Sequence, residues 1–396
     1  MNPSPDLSRR NFIGAVGAAV GAAGLMSSLA VTARAAEPSA RLAAKRSAIK
    51  LGIDVGIDRW HGTDDLLRFV HQLGVEWAAV ALPSDRGDFM DPSLTLGAVV
   101  KGFDGSLGGL GGGPGGGSGP WKVEEVQRII DIVGKQGLRL GDLMLHAFPN
   151  VVLGLPERDR DIEHIQQSIR IAGRLGIPVL QYNFEGFRAV EGLYATPGRG
   201  GATYRAFDIK RMKDPSPLPK IGIVEDGEIW ERMKYFLKAV LPVAQEAGVR
   251  LALHPNDPPI PRYRGVASPF DSIEHWKRVV NFMPSPYNGI VMETGVTAEQ
   301  GGNVLETIRY FGERDCINHV HFRNVRTLVP KEQYLEVFID EGQNDMLAAM
   351  RALHEVGYSH MLVPDHSPFI LGDTNRFGAW GFALGYIKAL MKAAGA

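Results

Sequence analysis

The sequence predicts a parallel α/β protein with the architecture of a (β/α)8 TIM barrel. Short apolar runs alternate with segments of helical apolar spacing along residues 49–396, and this alternation is typical of parallel βα units. Several apolar runs end on a histidine or a carboxylate, as barrel strands do at the edge that carries the active site. The length allows close to eight βα units. A doubly wound open sheet is the structural alternative.

Residues 1–35 are predicted to be a twin-arginine (Tat) signal peptide. Arg9-Arg10 precedes an apolar stretch rich in Gly and Ala at 14–31, and Ala33-Arg34-Ala35 is a small-x-small cleavage site. We therefore expect a linker at 36–48, one catalytic domain at 49–396, and a periplasmic or exported protein that the Tat machinery transports. An N-terminal anchor or a disordered extension is the alternative.

Composition excludes several classes of protein. The formal net charge is -1 and the basic residues are spread along the chain, so no nucleic-acid partner is indicated. Cys316 is the single cysteine, so no internal disulfide forms, which fits a reducing compartment or export of a folded protein. Beyond the N-terminal segment no apolar run is long enough to cross a membrane.

The first half of the domain shows the alternation element by element. Strands are predicted at 49–54, 75–82, 138–145 and 176–182, and helices at 64–73, 123–136 and 160–175. The Gly-rich segment 102–119 lacks a Gly-Lys-Ser/Thr ending, so it is interpreted as a flexible surface loop rather than a phosphate-binding loop. The long connection 185–228 is expected to be functional.

In the second half, predicted helices lead to strands that end on polar residues. Helices are predicted at 229–247, 271–282, 304–311, 346–356 and 382–393. The strands that follow the first four of these end at His254, Glu293, His321 and Asp365. These four residue types at one edge of a barrel indicate a mononuclear divalent-metal site. Each alone would more often be a hydrogen-bonded polar residue. His319 lies two positions before His321, and we expect only one of the two to face the barrel interior.

The motifs around these strand ends resemble those of the mannonate dehydratase family. They are His254-Pro-x-Asp-Pro-Pro, His321-Phe-Arg-Asn-Val325, Pro364-Asp-His366, Tyr182-Asn-Phe184 and the segment 200–208. The resemblance covers the chain from about Gly52 onward. It implies a xylose-isomerase-like TIM barrel that binds a divalent metal, typically Mn²⁺ with Fe²⁺ as the second candidate, and that dehydrates D-mannonate to 2-keto-3-deoxy-D-gluconate. The implied metal ligands are His254, His321, Asp365 and a fourth at position 293, and a homo-oligomer is implied as well.

The sequence departs from the family pattern at several positions. Glu293-Thr294-Gly295 stands where the family usually has Cys-Thr-Gly, and a glutamate makes the site harder and more like a sugar isomerase site. Ser367 follows the Asp-His pair in place of glycine, and no tyrosine corresponds to the family's near Arg376. The segment after Phe184 also differs. The chain is therefore predicted to be a divergent member.

Dehydration of a sugar acid assigns a role to each remaining candidate. A proton next to a carboxylate must be removed, and the developing negative charge needs a cation beside it. His366 is the predicted general acid or base, Arg323 the bidentate partner of the substrate carboxylate, and Tyr182 a residue that orients a hydroxyl or relays a proton. Asn183, Arg205 and Asn324 are predicted to bind substrate. Structural ion pairs are the alternative for both arginines.

Two further functions remain open at this point. A metal-dependent sugar isomerase or epimerase is favoured by Glu293, because two carboxylates and two histidines suit proton transfer on a chelated ketose. A non-catalytic, exported carbohydrate-binding protein is favoured by the altered segments and disfavoured by the complete ligand set. In every case the ligand is a small molecule.

Overall fold

Eight parallel strands close into a barrel in the computed structural model. The structure describes residues 49–56, 63–81, 119–145, 148–187, 189, 191–212, 216–219 and 221–396. Around the barrel the strand order is β1-β14-β11-β10-β7-β4-β3-β2. The bounds are Lys50–Gly56 (β1), Trp77–Ala81 (β2), Arg139–Met144 (β3), Val179–Asn183 (β4), Arg250–His254 (β7), Asn288–Glu293 (β10), Ile317–His321 (β11) and Met361–Val363 (β14). The closed order confirms the TIM barrel and excludes the open sheet.

Helices connect successive barrel strands, as the alternation predicts. Their bounds are Thr63–Gln72 (α1), Val123–Lys135 (α2), Pro149–Leu153 (α3), Arg158–Arg174 (α4), Asp226–Ala247 (α5), Ile273–Phe282 (α6), Thr294–Glu299 (α7), Val304–Gly312 (α8), Met346–Glu355 (α9) and Phe377–Ala394 (α10). In α1, Leu66, Leu67 and Val70 are buried whereas Asp64 and Asp65 are exposed, so the helix buries one apolar stripe against the barrel. No helix in the described ranges has the length and apolar character to cross a membrane.

Side chains on the barrel strands alternate between the barrel interior and the layer between strands and helices. Val179, Ala252 and Val291, on three neighbouring strands, form a separate buried cluster inside the barrel. Tyr182, by contrast, belongs to the large cluster that includes the helices and lies 5.6 Å, ring centroid to ring centroid, from Phe236 of α5. The parity of a residue along its strand therefore decides whether its side chain can reach a site inside the barrel.

The connection predicted as one long loop contains two strands. Leu193–Pro197 (β5) and Thr203–Asp208 (β6) join Val325–Val329 (β12) and Gln333–Glu336 (β13) in an antiparallel sheet of order β12-β13-β6-β5. The register places Arg205 opposite Glu336. A two-stranded sheet of Arg262–Tyr263 (β8) and Val266–Ala267 (β9) follows β7. The sheets supply the charged residues that flank the strand ends.

The predicted signal peptide (1–35), the linker (36–48) and the Gly-rich loop up to residue 118 lie outside the described residues. The structure therefore does not test the predicted domain boundaries.

Candidate metal and catalytic site

Three of the four predicted ligands converge at the carboxyl ends of adjacent strands. Glu293 and His321 are register partners at the ends of β10 and β11. Asp365 follows β14 by two residues and has a positive φ of 57°, a conformation uncommon for aspartate and often found at functional sites. Each of these three offers a ligand atom, and the three atoms lie within 4.8 Å of one another.

His254, the fourth predicted ligand, lies beside this group at the end of β7. Its ring centroid is 5.1 Å from that of His321. Its Nδ1 lies 2.7 Å from the backbone oxygen of Pro255. Because a carbonyl oxygen only accepts, Nδ1 carries the proton and Nε2 carries the lone pair, which is the tautomer suited to metal ligation.

The electrostatics of His321 and Asp365 also suit a divalent cation. Burial lowers the pKa of His321 well below its ordinary value, so the imidazole is neutral and can donate a lone pair. Neither of its ring nitrogens has a hydrogen-bond partner among the described residues. Burial by itself would raise the pKa of Asp365, but the neighbouring His366, His321 and Arg323 hold it well below its usual range. Two imidazoles and two carboxylates therefore form a donor set that fits a divalent metal.

Glu293 is held from two sides. Its Oε2 accepts a hydrogen bond of 2.5 Å from the backbone N–H of Val296, so the side chain caps α7, and its Oε1 accepts one of 2.9 Å from Nε of Arg323. Burial raises its pKa well above the ordinary value, although Arg323 opposes that shift. Oε1 lies 4.0 Å from Nδ1 of His321, so it faces the other ligands.

Arg323 lies at the centre of a group of buried carboxylates. Its guanidinium nitrogens lie 2.7 to 3.6 Å from carboxylate oxygens of five residues: Glu293, Asp365, Glu299, Asp257 and Glu336. The side chain is 1% exposed. Sequence reasoning predicted that this arginine binds the substrate carboxylate. In the structure Nε, Nη1 and Nη2 are instead all directed at protein carboxylates, and Nε bridges the two carboxylate metal-ligand candidates.

His366 lies in a second cluster, with Asp257 and Glu336, whose ligand-type atoms are also within 4.8 Å of one another. Its Nδ1 is 3.0 Å from Oε2 of Glu336 and 2.6 Å from Nη2 of Arg205. The first is an ion-pair distance to a carboxylate, and in the second Nδ1 accepts from the guanidinium, so the ring lies between an acidic and a basic group. This is an environment suited to a general acid or base.

Arg205 and Glu336 form the ion pair that positions His366. Two N–H groups of Arg205 donate to Oε1 of Glu336, at 2.8 and 2.5 Å. Burial would raise the pKa of Glu336, but Arg205, His366 and Arg323 together hold it below its usual range. Arg205 therefore forms the structural ion pair that was the alternative to substrate binding, and it lies beside His366.

The structure does not bring Tyr182 to this site. Its ring packs with Phe148 and Phe236 in the layer between the barrel and the helices, and burial raises the pKa of its hydroxyl. A role for this hydroxyl in proton transfer does not fit that placement. Asn183, the next residue, has the opposite parity and pairs in register with His254, which places it at the barrel mouth as predicted.

Asn324 is engaged with backbone groups rather than directed at a ligand. Its Nδ2 donates to the carbonyls of Ile339 and Asn344, and its Oδ1 accepts from the N–H groups of Val325 and Asn344. These four bonds use the full capacity of the amide donors and fix the segment after β13. Its predicted contact with substrate has no geometric support.

Sequence reasoning missed several residues of the site. They are Asp257, Glu299 and Glu336, Tyr334, whose hydroxyl donates to Oδ1 of Asp257 at 3.1 Å, and His319. The expectation for His319 was wrong, because residues two apart on a strand share a face. Its Nδ1 lies 3.1 Å from Oδ2 of Asp142, and Asp142 is on β3, which is not a neighbour of β11, so the contact crosses the barrel interior. The His-x-His spacing was the sequence signal that could have predicted this placement of His319.

A small pocket, partly open to solvent, adjoins His366. The residues that line it come from β6, β13 and the segment before α10: Arg205, Glu336, His366, Ser367, Pro368, Phe369 and Arg376.

The fold and the converging ligands define a metal-binding (β/α)8 barrel. Comparisons with known proteins identify its family. The sequence profile of "D-mannonate dehydratase (UxuA)" matches residues 89–221 and 218–396. The mannonate dehydratase of Thermotoga petrophila is 30% identical over 315 residues, 69% of this chain and 86% of the relative. Mannonate dehydratase 2 of Halalkalibacterium halodurans is 27% identical over 307 residues, 69% of this chain and 88% of the relative.

Solved structures agree with this result. The mannonate dehydratase of Streptococcus suis serotype 2 superposes with a TM-score of 0.70 at 26% identity, over 88% of this chain and 95% of that one. A xylose isomerase domain protein of Planctomyces limnophilus, at a TM-score of 0.52 and 14% identity over 88% and 99%, shows the fold alone. The chain belongs to the D-mannonate dehydratase family. The predictions of a xylose-isomerase-like barrel and of a hydro-lyase are confirmed.

Proposed function

We propose that this protein is a metal-dependent lyase that removes water from a sugar acid, and that D-mannonate, converted to 2-keto-3-deoxy-D-gluconate, is the substrate to test first. The observation that carries the proposal is the convergence of Glu293, His321 and Asp365 next to His366 at the barrel mouth. Membership of the family supports the choice of D-mannonate, which is the substrate in the names of its relatives.

The residues that would hold the metal are His254, Glu293, His321 and Asp365. A divalent cation bound there acts as a Lewis acid beside the negative charge that develops when the substrate loses a proton. Mn²⁺ is the proposed ion, with Fe²⁺ second, because imidazole and carboxylate donors suit both. The carboxylate at position 293, where the family usually has cysteine, favours the harder ion.

The chain's own residues supply the proton transfers. Dehydration removes a proton from the carbon next to the carboxylate and expels the hydroxyl of the following carbon as water, so one group must accept a proton and one must donate it. His366 is the proposed acid or base, because Nδ1 faces both Glu336 and Arg205. These two residues hold the ring in place, and Asn183 at the barrel mouth is a proposed substrate contact.

A metal-dependent sugar isomerase or epimerase is the second candidate. Glu293 favours it, because the site then contains two histidines and two carboxylates and no thiolate. Such an enzyme would interconvert neutral ketoses and release no water.

The test is an assay of the full chain with D-mannonate and Mn²⁺, with product measured as the 2-keto-3-deoxy acid and bound metal measured by mass spectrometry. The lyase proposal expects product that disappears on chelation and returns with Mn²⁺. His254→Ala should lose bound metal, whereas Arg199→Gln, a change at an exposed arginine that pairs with Asp340, should retain it. Bound metal without product, together with ketose interconversion, would establish the second candidate instead.

We also propose that the protein is exported through the twin-arginine pathway and that it self-associates. Export is supported by Arg9-Arg10, the apolar stretch and the small-x-small site. Cell fractionation of the wild type and of a double Arg9→Lys, Arg10→Lys variant tests it, since the variant should remain in the cytoplasm. Self-association is implied by the family resemblance, and analytical ultracentrifugation tests it.

A further inference from the structure

A buried polar layer lies inside the barrel, directly below the predicted metal ligands. His319 is the register partner of Val291, one interior position before the pair formed by Glu293 and His321. Gln181 likewise lies two positions before the last residue of β4. Because residues two apart on a strand share a face, these side chains point into the barrel below the strand ends that carry the ligands.

A contact between a carboxylate and an imidazole holds this layer together. Nδ1 of His319 lies 3.1 Å from Oδ2 of Asp142, and both side chains are 0% exposed. Burial raises the pKa of Asp142, and His319 and Gln181 oppose that rise, so the carboxyl group faces both of them. A contact of this length in a low-dielectric interior fixes the orientation of the imidazole ring.

The ring of His319 in turn contacts the ring of His321, a predicted metal ligand. The two ring centroids are 5.1 Å apart and the planes are inclined by 84°, an edge-to-face arrangement. His254, another predicted ligand, contacts the ring of His321 at the same centroid distance, with the planes inclined by 61°. His321 therefore packs against two imidazole rings, one of which belongs to no predicted ligand.

His321 and His254 differ in what orients their rings. A metal-ligating histidine usually donates the N–H of its second ring nitrogen to a carboxylate, a carbonyl or a water. His254 follows this rule through the backbone oxygen of Pro255. Among the described residues, neither ring nitrogen of His321 has a hydrogen-bond partner. The orientation of His321 therefore depends on packing, and His319 is the packing partner that a carboxylate holds in place.

We propose that Asp142 is a positioning residue for the metal site, because it fixes the ring of His319 and His319 then orients His321. In that orientation Nδ1 of His321 lies 4.0 Å from Oε1 of Glu293 and 3.4 Å from Oδ1 of Asp365. Asp142 is not one of the three residues whose ligand atoms converge there, so it acts through the two histidines. This inference rests on the metal site of the proposed function and is independent of the substrate.

A double-mutant cycle on the Mn²⁺ affinity of the full chain tests the proposal, with affinity measured by competition with a fluorescent chelator. Asp142→Asn keeps the shape of the side chain and removes its charge. His319→Phe keeps a ring beside His321 but has no nitrogen to contact Asp142. Each variant should weaken Mn²⁺ binding by about 10- to 100-fold, the loss typical of residues that orient a metal-ligating histidine. The double variant should bind Mn²⁺ no more weakly than the weaker single variant, because Asp142 acts through His319.

Asp161→Asn is the matched control. Asp161 is also a buried aspartate, and it accepts a 2.8 Å hydrogen bond from Asn150, but it lies on α4 outside the barrel. Its Mn²⁺ affinity should stay within about threefold of the wild type. With Co²⁺ as the metal, the visible absorption reports coordination geometry, and it should change in Asp142→Asn but not in Asp161→Asn. A merely structural role of Asp142 would lower the stability of the metal-free chain to urea and leave the Co²⁺ spectrum unchanged, which would overturn the proposal.

Two further results would overturn it: unchanged Mn²⁺ affinity in both single variants, or losses that add in the double variant, since Asp142 would then act on the metal by its own charge. If His319→Phe does not fold, His319→Gln takes its place. Glutamine presents no ring to His321, so Asp142→Asn should again cause no further loss in that background. A wild type that binds no metal would refute the metal site and this inference together, whereas a metal-bound wild type that forms no product would refute only the dehydratase function.

Discussion

Replacing Arg323 with methionine tests whether this residue holds the site together. Methionine is flexible, shorter and uncharged, so the variant leaves Glu293, Asp365, Glu299, Asp257 and Glu336 without their shared cation. Removing one partner of a buried ion pair typically costs about 3–5 kcal/mol. Because the guanidinium is 1% exposed, solvent screens it little, and the full range applies. The ratio of folded to unfolded protein should fall by roughly two to four powers of ten.

The loss should also depend on pH. Without Arg323, the buried carboxylates bind protons more tightly in the folded state than in the unfolded state. The folded state then holds more protons than the unfolded state, so the free energy of unfolding of the variant falls as the pH rises. Urea unfolding of the metal-free full chain, followed by tryptophan fluorescence at pH 5 and pH 8, measures both effects, with Arg199→Met as the surface control. A deficit below about 1 kcal/mol at pH 8, or an equal deficit at both pH values, would refute this reasoning.

Four other substitutions test single residues. His366→Gln should lower kcat by about 10²- to 10⁴-fold with metal content unchanged, and a kcat within threefold of wild type would remove His366 from the chemistry. Burial raises the pKa of Glu299 to about 8, against the opposing charge of Arg323. The folded state therefore binds a proton that the unfolded state releases, and the free energy of unfolding should fall between about pH 5 and pH 8. In Glu299→Gln this fall should be less steep. Glu293→Cys should shift the preference between Mn²⁺ and Zn²⁺ toward Zn²⁺ in a competition followed by mass spectrometry, because thiolate is the softer ligand. Tyr182→Phe should keep kcat within a few-fold in the dehydration assay, since its hydroxyl lies outside the barrel, and a large loss would mean that the phenol reaches the substrate.

The barrel and its ligands were predictable because they depend on local patterns. An apolar run that ends on a histidine or a carboxylate marks both a strand and its catalytic edge, and His254, Glu293 and His321 are the terminal residues of their strands. Side-chain alternation was equally readable but was applied incorrectly to His319. Correctly applied, the alternation places His319 and His321 together inside the barrel. It also places Tyr182 outside, because the adjacent Asn183 faces the interior.

The charged surroundings of the ligands were not predictable in the same way. Glu336 reaches His366 because β13 pairs with β6 across a separation of more than a hundred residues. No local pattern in the sequence predicts that pairing. The connection 185–228 appeared irregular because its strands are short and their partners are distant. Arg323 could be placed at a strand end, but which carboxylates surround it depends on the packing of four different segments.

The glutamate at position 293 links the metal ligands to these surroundings. A thiolate offers a single donor atom, whereas the carboxylate offers two oxygens, and in this structure Val296 N–H engages one and Arg323 engages the other. A metal at the strand ends would therefore share Oε1 with Arg323. Because Arg323 also faces the carboxylates of Glu336 and Asp365, whose pKa values are held below their usual range, its competition with the metal is weakened. The ionised carboxylates around Arg323 thus favour a glutamate at position 293, where the family usually has cysteine.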